Sequence, residues 1–174
     1  LNTVFNQLLE EIHHWHNQLQ SENSLLNYQV QHDDLTQLPN RNYFHQMLIH
    51  KFENPIQRNM SAVIFIDNNN FKTINDKYGH LAGDEVLKET ANRLKSSIRQ
   101  HDFVARLSGD EFAIILDSVS ETDYLISIAE KLIKTCEKPV YYQNEEIYFS
   151  FSLGIALTRN AESIEDVMSQ ADQA

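Results

Sequence analysis

The chain has 174 residues, 41% hydrophobic, 10% aromatic and 22% charged, enough apolar side chain for one packed core and too mixed for a disordered or low-complexity chain. With 14 Lys+Arg against 25 Asp+Glu the formal net charge is -11, which excludes a general basic field, so no nucleic-acid partner is expected. One cysteine, Cys136, excludes a disulfide framework and a multi-cysteine zinc module and fits a reducing compartment, and no apolar run approaches the roughly 20 residues that span a bilayer, so a cytoplasmic location without direct membrane contact is expected of this stretch.

The chain opens with Leu1 rather than Met and is expected to be a piece of a longer polypeptide. Residues 1–30 hold no Gly or Pro, and Leu1, Phe5, Leu8, Ile12, Trp15, Leu19 and Leu26 recur at steps of four and three. This seam predicts a helix over 1–31 that pairs with a copy of itself; an amphipathic helix packed on its own domain is the alternative. His13, His14 and His16 lie on it without a third metal ligand in view. His32 to Arg41 breaks the pattern at Pro39 and reads as a joint, after which residues 32–174 form one domain, cut short at its C-terminus.

A helix follows from Arg41 to Glu53 with Phe44, Met47, Leu48 and Phe52 on one face, then a strand from Ala62 to Ile66, buried on both faces and closed by Asp67. A short helix over Phe71 to Asp76 and a longer one over Ala82 to Gln100 lead to the strands Phe103 to Leu107 and Phe112 to Leu116, a hairpin. A helix from Glu121 to Glu137, strands Val140 to Tyr142 and Ile147 to Leu157 around a turn at Asn144, and a last helix from Ser163 to Ala174 complete the chain. This order describes an α+β domain of the ferredoxin-like kind, one mainly antiparallel sheet with helices packed against it.

With four glycines there is no GxGxxG or GxxxxGK phosphate loop. The stretch from Asp67 fails as a calcium loop, because Phe71, Lys72 and Tyr78 stand where ligands and a glycine are needed, and Cys136 sits in a helical apolar stripe. What remains is acidic: Asp67 at a strand end and Asp110 and Glu111 at the hairpin tip. Three carboxylates converging there would require cations, and oxygen donors favour Mg²⁺ or Mn²⁺, the metals of phosphoryl and nucleotidyl transfer. Spacing alone leaves open that Asp67 caps a helix and that Asp110 and Glu111 are turn residues.

Three longer stretches and one short one are more specific. Asp33-Asp34-Leu35-Thr36-Gln37-Leu38-Pro39-Asn40-Arg41 resembles DxLTxLPNR; Asp67 to Asp84, with Phe71-Lys72-Thr73-Ile74-Asn75-Asp76 and Gly79-His80-Leu81-Ala82-Gly83-Asp84, resembles DxDxFKxINDxxGHxxGD; Arg99 and Asp102 form RxxD; and Ser108-Gly109-Asp110-Glu111-Phe112 resembles GGDEF with Ser in first place. Together they identify residues 33–174 as similar to the GGDEF domains, the diguanylate cyclases. The resemblance implies a palm fold like that of nucleotide polymerases and cyclases, preceded here by a coiled-coil helix. It implies that two GTP-loaded domains of a homodimer face each other and condense two GTP into cyclic di-GMP and two pyrophosphates.

By motif position it assigns the metals to Asp67, the Asn68 carbonyl, Asp110 and Glu111, and proton acceptance from the attacking hydroxyl to Asp110. Lys72 takes the phosphates, Asn75 and Asp84 the guanine, His80 a further substrate contact and Gly109 a close backbone approach, while Leu35, Phe71 and Phe112 are packing residues. Arg99 and Asp102 match the site where cyclic di-GMP inhibits. Ser108 for Gly, Asn69 for the second acid and the missing C-terminal helix with its phosphate lysine depart from the pattern. A silent domain serving as a GTP or cyclic di-GMP receptor, or as a dimerisation module, is the alternative.

Overall fold

The computed structural model describes residues 2–119 and 122–173. Leu1, Glu121 and Ala174, which bound the expected seam and two expected helices, lie outside the described residues, as does the side chain of Leu8. The first helix, α1 (Asn2–Gln31), is unbroken and about 45 Å long at ~1.5 Å per residue. Phe5, Ile12, Trp15, Leu19 and Leu26 are each more than half exposed, so this helix does not pack on its own domain. Its last carbonyls, orphaned at any helix end, are taken by Asn40, whose side-chain amide donates to the Val30 carbonyl at 2.7 Å and whose N–H donates to that of Gln31 at 2.8 Å. The same Asn40 accepts from the Tyr43 N–H at 3.1 Å and so caps α2 (Arg41–Glu53). One side chain ends the stalk and starts the domain.

Helix α2 buries Phe44 and Leu48 as its sequence predicts, with Met47 and Phe52 half-buried beside them. It also buries Lys51, whose Nζ lies 2.6 Å from Asp117, a pairing across 66 residues that no local pattern signals. The sequence reading missed α3 (Pro55–Asn59), a single turn with Asn54 accepting from Ile56 and Gln57 N–H groups and Pro55 in first position. Strand β1 (Ala62–Asn68) runs one residue beyond Asp67. Helix α4 (Phe71–Tyr78) outlasts its expected end, and α5 (His80–Ser97) begins earlier and stops sooner than expected.

Strands β2 (Phe103–Ser108) and β3 (Glu111–Leu116) form the expected hairpin. Helix α6 (Thr122–Lys134) ends in a 3₁₀ turn over Thr135–Glu137. The single long strand expected over Ile147 to Leu157 is two. After β4 (Val140–Tyr142), β5 (Glu145–Ile147) pairs back on it around Gln143 and Asn144, both at positive φ, whereas β6 (Phe151–Leu157) joins the main sheet. Ile147, Phe149 and Phe151 are alternately buried through the break, so the period of two continues while the hydrogen-bonding partner changes. Helix α7 (Ile164–Gln173) closes the described chain.

The main sheet has the order β2-β3-β1-β6, antiparallel throughout, which is the ferredoxin-like arrangement expected. Each face is buried. Ala62, Ile64 and Ile66 of β1 and Phe112, Ile114 and Leu116 of β3 meet Ile74, Val86, Leu87, Leu94, Leu125 and Leu132 from α4, α5 and α6. On the other face Val63, Ala113 and Ile115 meet Phe44 and Leu48 of α2 and Val167 and Ala171 of α7.

The loop between α1 and α2 is tied to the hairpin by Arg106. Its Nη1 donates to Asp33 Oδ1 at 2.9 Å, its Nε and Nη2 donate to the Gly109 carbonyl at 3.0 and 2.7 Å, and its N–H donates to the Pro39 carbonyl at 2.9 Å. Asp33 also accepts from the Thr36 N–H and hydroxyl. Burial alone would push the Asp33 carboxyl up, but the hydrogen bonds from Thr36 and Arg106 and the guanidinium charge outweigh it and hold the group below its ordinary 3.8. With the folded value below the unfolded one, the clasp contributes in full above the ordinary range and is lost as pH falls through the lowered folded value. Asp33→Asn is therefore expected to cost about 1–3 kcal/mol at neutral pH and to flatten the acid side of the stability profile below about pH 4. Urea unfolding midpoints measured across that range check this, and a variant that tracks the parent at every pH would contradict it.

Candidate functional site

The acidic residues gather because of strand register. Asp67 and Glu111 are directly opposite each other in the β1–β3 ladder, where facing side chains are roughly 5 Å apart at Cβ. One rung further, the Asn68 N–H donates to the Asp110 carbonyl at 3.4 Å. By alternation along β1 and β3, Asp67 and Glu111 share the α2–α7 face of the sheet. There they line a cleft of about 680 Å³ with Arg41, Leu107, Ser152, Met168 and Ser169.

The expected convergence of three carboxylates is met only in part. Among the described residues no three His, Cys, Asp or Glu side chains are gathered to hold an ion, because Asp110 sits in the two-residue turn and not on a rung of the ladder. Gly109 makes that turn with φ +47, a left-handed conformation that favours glycine.

The departures from the family motif have definite contacts. The Ser108 hydroxyl points to solvent and donates to Glu111 Oε2 at 2.5 Å, so the extra side chain turns the adjacent carboxylate into its partner and does not fill the cleft. Asn69 is occupied at both ends. Its Oδ1 accepts from Ser152 at 2.7 Å and its Nδ2 donates to Ser150 at 3.0 Å. It pins the end of β1 to β6. Asn68 is buried, and its side-chain amide has no hydrogen-bond partner.

The residues assigned to the nucleotide base lie on the other face, over α4 and α5. Lys72 is exposed in the first turn of α4 and His80 is exposed at the start of α5. Asn75 is in the last turn of α4. Its Oδ1 lies so close to Gly83 that a Cβ there would stand 2.0 Å away, which brings the Asn75 amide against the peptide that precedes Asp84. Phe112 is fully buried, and Leu35 and Phe71 pack half-buried on the same core, as expected of packing residues.

Arg99 and Asp102 are joined, but not as a paired surface. The Asp102 side chain is 0% exposed; its Oδ2 accepts from the Arg99 N–H at 2.9 Å and its Oδ1 from the Asp117 N–H at 3.1 Å. Both oxygens are engaged in holding the turn before β2. The Arg99 guanidinium is exposed and stacks 4.2 Å from the centre of the Tyr124 ring on α6. Burial first, and the Asp102 charge second, push the Tyr124 hydroxyl up. Burial also pushes the Cys136 thiol up to about 11, so it is no nucleophile at neutral pH.

Sequence reasoning missed Arg41 in the acidic cleft, the Asp33–Arg106 clasp, Tyr124 under Arg99 and the closeness of Gly83 to Asn75. Only Gly83 left a signal, a glycine within a helical pattern, where its backbone entropy is a cost and a packing reason is to be sought. The others join segments distant in sequence.

The domain family described as "Diguanylate cyclase, GGDEF domain" matches residues 30–174. The diguanylate cyclase TpbB of Pseudomonas aeruginosa is 39% identical over 177 residues, an alignment that covers 100% of this chain and 41% of TpbB; the chain spans about two fifths of that relative's length. The structure of a delta-N mutant of TpbB from Pseudomonas aeruginosa comprising only the GGDEF domain is 37% identical and similar at a TM-score of 0.77, over 81% of this chain and 84% of that one. The coiled coil and GGDEF domain of DgcB from Caulobacter crescentus, in complex with c-di-GMP, gives a TM-score of 0.88 over 98% of this chain and 91% of that one, and at 23% identity it speaks for the fold alone. The ordered motifs, the sheet that carries them and these likenesses agree, and the chain belongs to the GGDEF domain family.

Proposed function

We propose that this chain is the catalytic domain of a diguanylate cyclase, in which two GTP condense to cyclic di-GMP with release of two pyrophosphates. The observation that carries the reading is the Asp67–Glu111 rung with the Asp110 turn beside it. The donors offered there are hard oxygens, two facing carboxylates with Asp110 and the Asn68 carbonyl next to them, and like charges on one rung repel unless a cation is shared. This set fits Mg²⁺ or Mn²⁺. Such an ion, when bound, polarises the α-phosphate and makes the 3′-hydroxyl more acidic.

Asp110 accepts the proton of that hydroxyl, and Lys72 and the exposed Arg41 offset the triphosphate charge. The Asn75 amide and the Asp84 carboxylate read the guanine edge, acceptor and donors respectively, and His80 borders the substrate. Gly109 leaves room for close approach of the hairpin backbone. Ser108, turned outward onto Glu111, is compatible with this arrangement.

The remaining parts belong to control. Residues 1–31 form a dimerising stalk and residues 32–174 the domain; α1 with its exposed seam seats a second copy, and two half-sites act when the domains face each other antiparallel. Cyclic di-GMP is bound by Arg99, presented on Tyr124, with Asp102 as the anchor of the turn and not as a direct contact. No helix among the described residues is long and apolar enough to cross a membrane, and the domain serves as the cytoplasmic output of a larger signalling protein.

Incubation of the full-length protein with GTP and Mg²⁺, followed by chromatography, is expected to yield cyclic di-GMP. Asp110→Ala is expected to lower the rate by roughly 10²–10⁴, the usual contribution of a general base. GTP binding without turnover by the parent protein would favour the silent receptor instead. Added cyclic di-GMP is expected to slow the parent and to leave Arg99→Ala unaffected. Inhibition that persists undiminished in that variant would remove Arg99 from the product site. Arg99→Ala is the variant of choice because loss of the buried Asp102 carboxylate would strand two N–H groups and disturb the fold.

A further inference from the structure

We infer that Gly83 is a positioning residue for base recognition: the absence of a side chain at 83 makes the slot in which the Asn75 amide sits, and thereby sets the preference for guanine over adenine. The inference rests on the proposed reading of Asn75 as a guanine contact. The two residues face each other across the junction of α4 and α5, where the Gly79 N–H donates to the Asn75 carbonyl at 2.9 Å and the Gly83 N–H to the Gly79 carbonyl at 3.2 Å. Gly83 is buried. A Cβ on it would lie 2.0 Å from Asn75 Oδ1, 3.0 Å from Asn75 Cγ and 3.2 Å from Phe71 Cζ, whereas carbon contacts relax to roughly 3.5–4.0 Å.

The severe clash is therefore with the Asn75 amide, the Phe71 ring being merely tight, and its relief requires the amide to swing away. The Asn75 amide oxygen lies against the bare Gly83 backbone, with the Phe71 ring bordering the same space. Asp84 is the next residue along α5. Guanine presents an acceptor and two donors along one edge where adenine presents the reverse, so a displaced amide loses a bond with guanine that adenine never made. A glycine in the first turns of a helix otherwise built from good helix formers is retained at a conformational cost, and the slot is its return.

The test compares Mg²⁺-dependent binding of GTP and ATP to the full-length protein and to Gly83→Ala, Asn75→Ala and the double variant, together with thermal unfolding of each. Gly83→Ala and Asn75→Ala are each expected to weaken GTP by about tenfold to a hundredfold with ATP unchanged, and the double variant to bind GTP no more weakly than Asn75→Ala, the non-additivity of residues acting through one contact. The double variant is also expected to regain the thermal stability lost in Gly83→Ala, since the clashing atoms are gone. If Asn75→Ala loses the preference for GTP while Gly83→Ala keeps it, the positioning role is wrong and the guanine reading stands. If Asn75→Ala itself binds GTP like the parent, the reading of Asn75 falls and this inference with it. Failure of both Gly83→Ala and the double variant to fold would place the clash elsewhere and overturn the proposal.

Discussion

The register of β1 against β3 is the constraint on which the site depends. From Ala62↔Leu116 to Asp67↔Glu111 every rung is fixed by what each side chain meets on its own face. A slip of one residue would turn Asp67 toward α4 and α5, bring Asn68 into the acidic cleft and invert the whole strand. Such a slip is opposed by Ile64, Ile66, Phe112 and Ile114 on one face and Val63 and Ile115 on the other, all buried, because each would exchange the place it fits for one in the opposite core. The carboxylates repel one another and contribute nothing to this pairing; the apolar residues behind them hold them opposite. Packing thus places the chemistry.

What could be read beforehand follows from the range of each interaction. The heptad seam, the doubly buried strand and the hairpin around Gly109 and Asp110 are local patterns, and each appears where its period or turn chemistry puts it. Motif resemblance added the palm and the residues at the strand ends. The clasp between Asp33 and Arg106 joins residues 73 apart, and Lys51–Asp117 joins residues 66 apart; neither leaves a trace in spacing. The contacts of Asn69 with Ser150 and Ser152 join residues more than 80 apart and are equally silent in the sequence. Asp102 looked like one half of a binding pair, and its burial under two N–H groups depends on where Asp117 comes to lie. The split of Ile147 to Leu157 into two strands was hidden for a different reason: the alternation is unbroken, and only the identity of the hydrogen-bonding partner changes.

Charge sets the terms on which a nucleotide could be held. A chain of net charge -11 repels a polyphosphate at distances up to the Debye length, about 8–10 Å at ordinary salt, so attraction must come from groups within contact range. Two cationic side chains are exposed near the strand end, Lys72 on α4 and Arg41 at the head of α2. Arg41 follows directly on Asn40, the residue that ends α1 and caps α2, so its position is tied to the stalk junction. The clasp by Arg106 then ties that junction to the Gly109 carbonyl in the hairpin turn. Stalk, cleft and hairpin are one mechanically connected unit through three residues.

The two halves of the proposed site lie on opposite faces of the sheet, Asp67 and Glu111 over α2 and α7, the residues assigned to the base over α4 and α5, so a nucleotide engaged by both would pass over the end of β1. On the proposed reading each domain holds one such nucleotide and needs the hydroxyl of another. Free domains would meet by diffusion, whereas two domains on paired α1 helices would face an effective concentration set by the geometry of the stalk. The junction of α1 with the domain is held by the Asn40 hydrogen bonds and the Tyr28–His32 stack, so on that reading a rotation within a helix pair would carry through to the hairpin. Rate would then depend on stalk geometry while every group in the half-site stays where the core holds it.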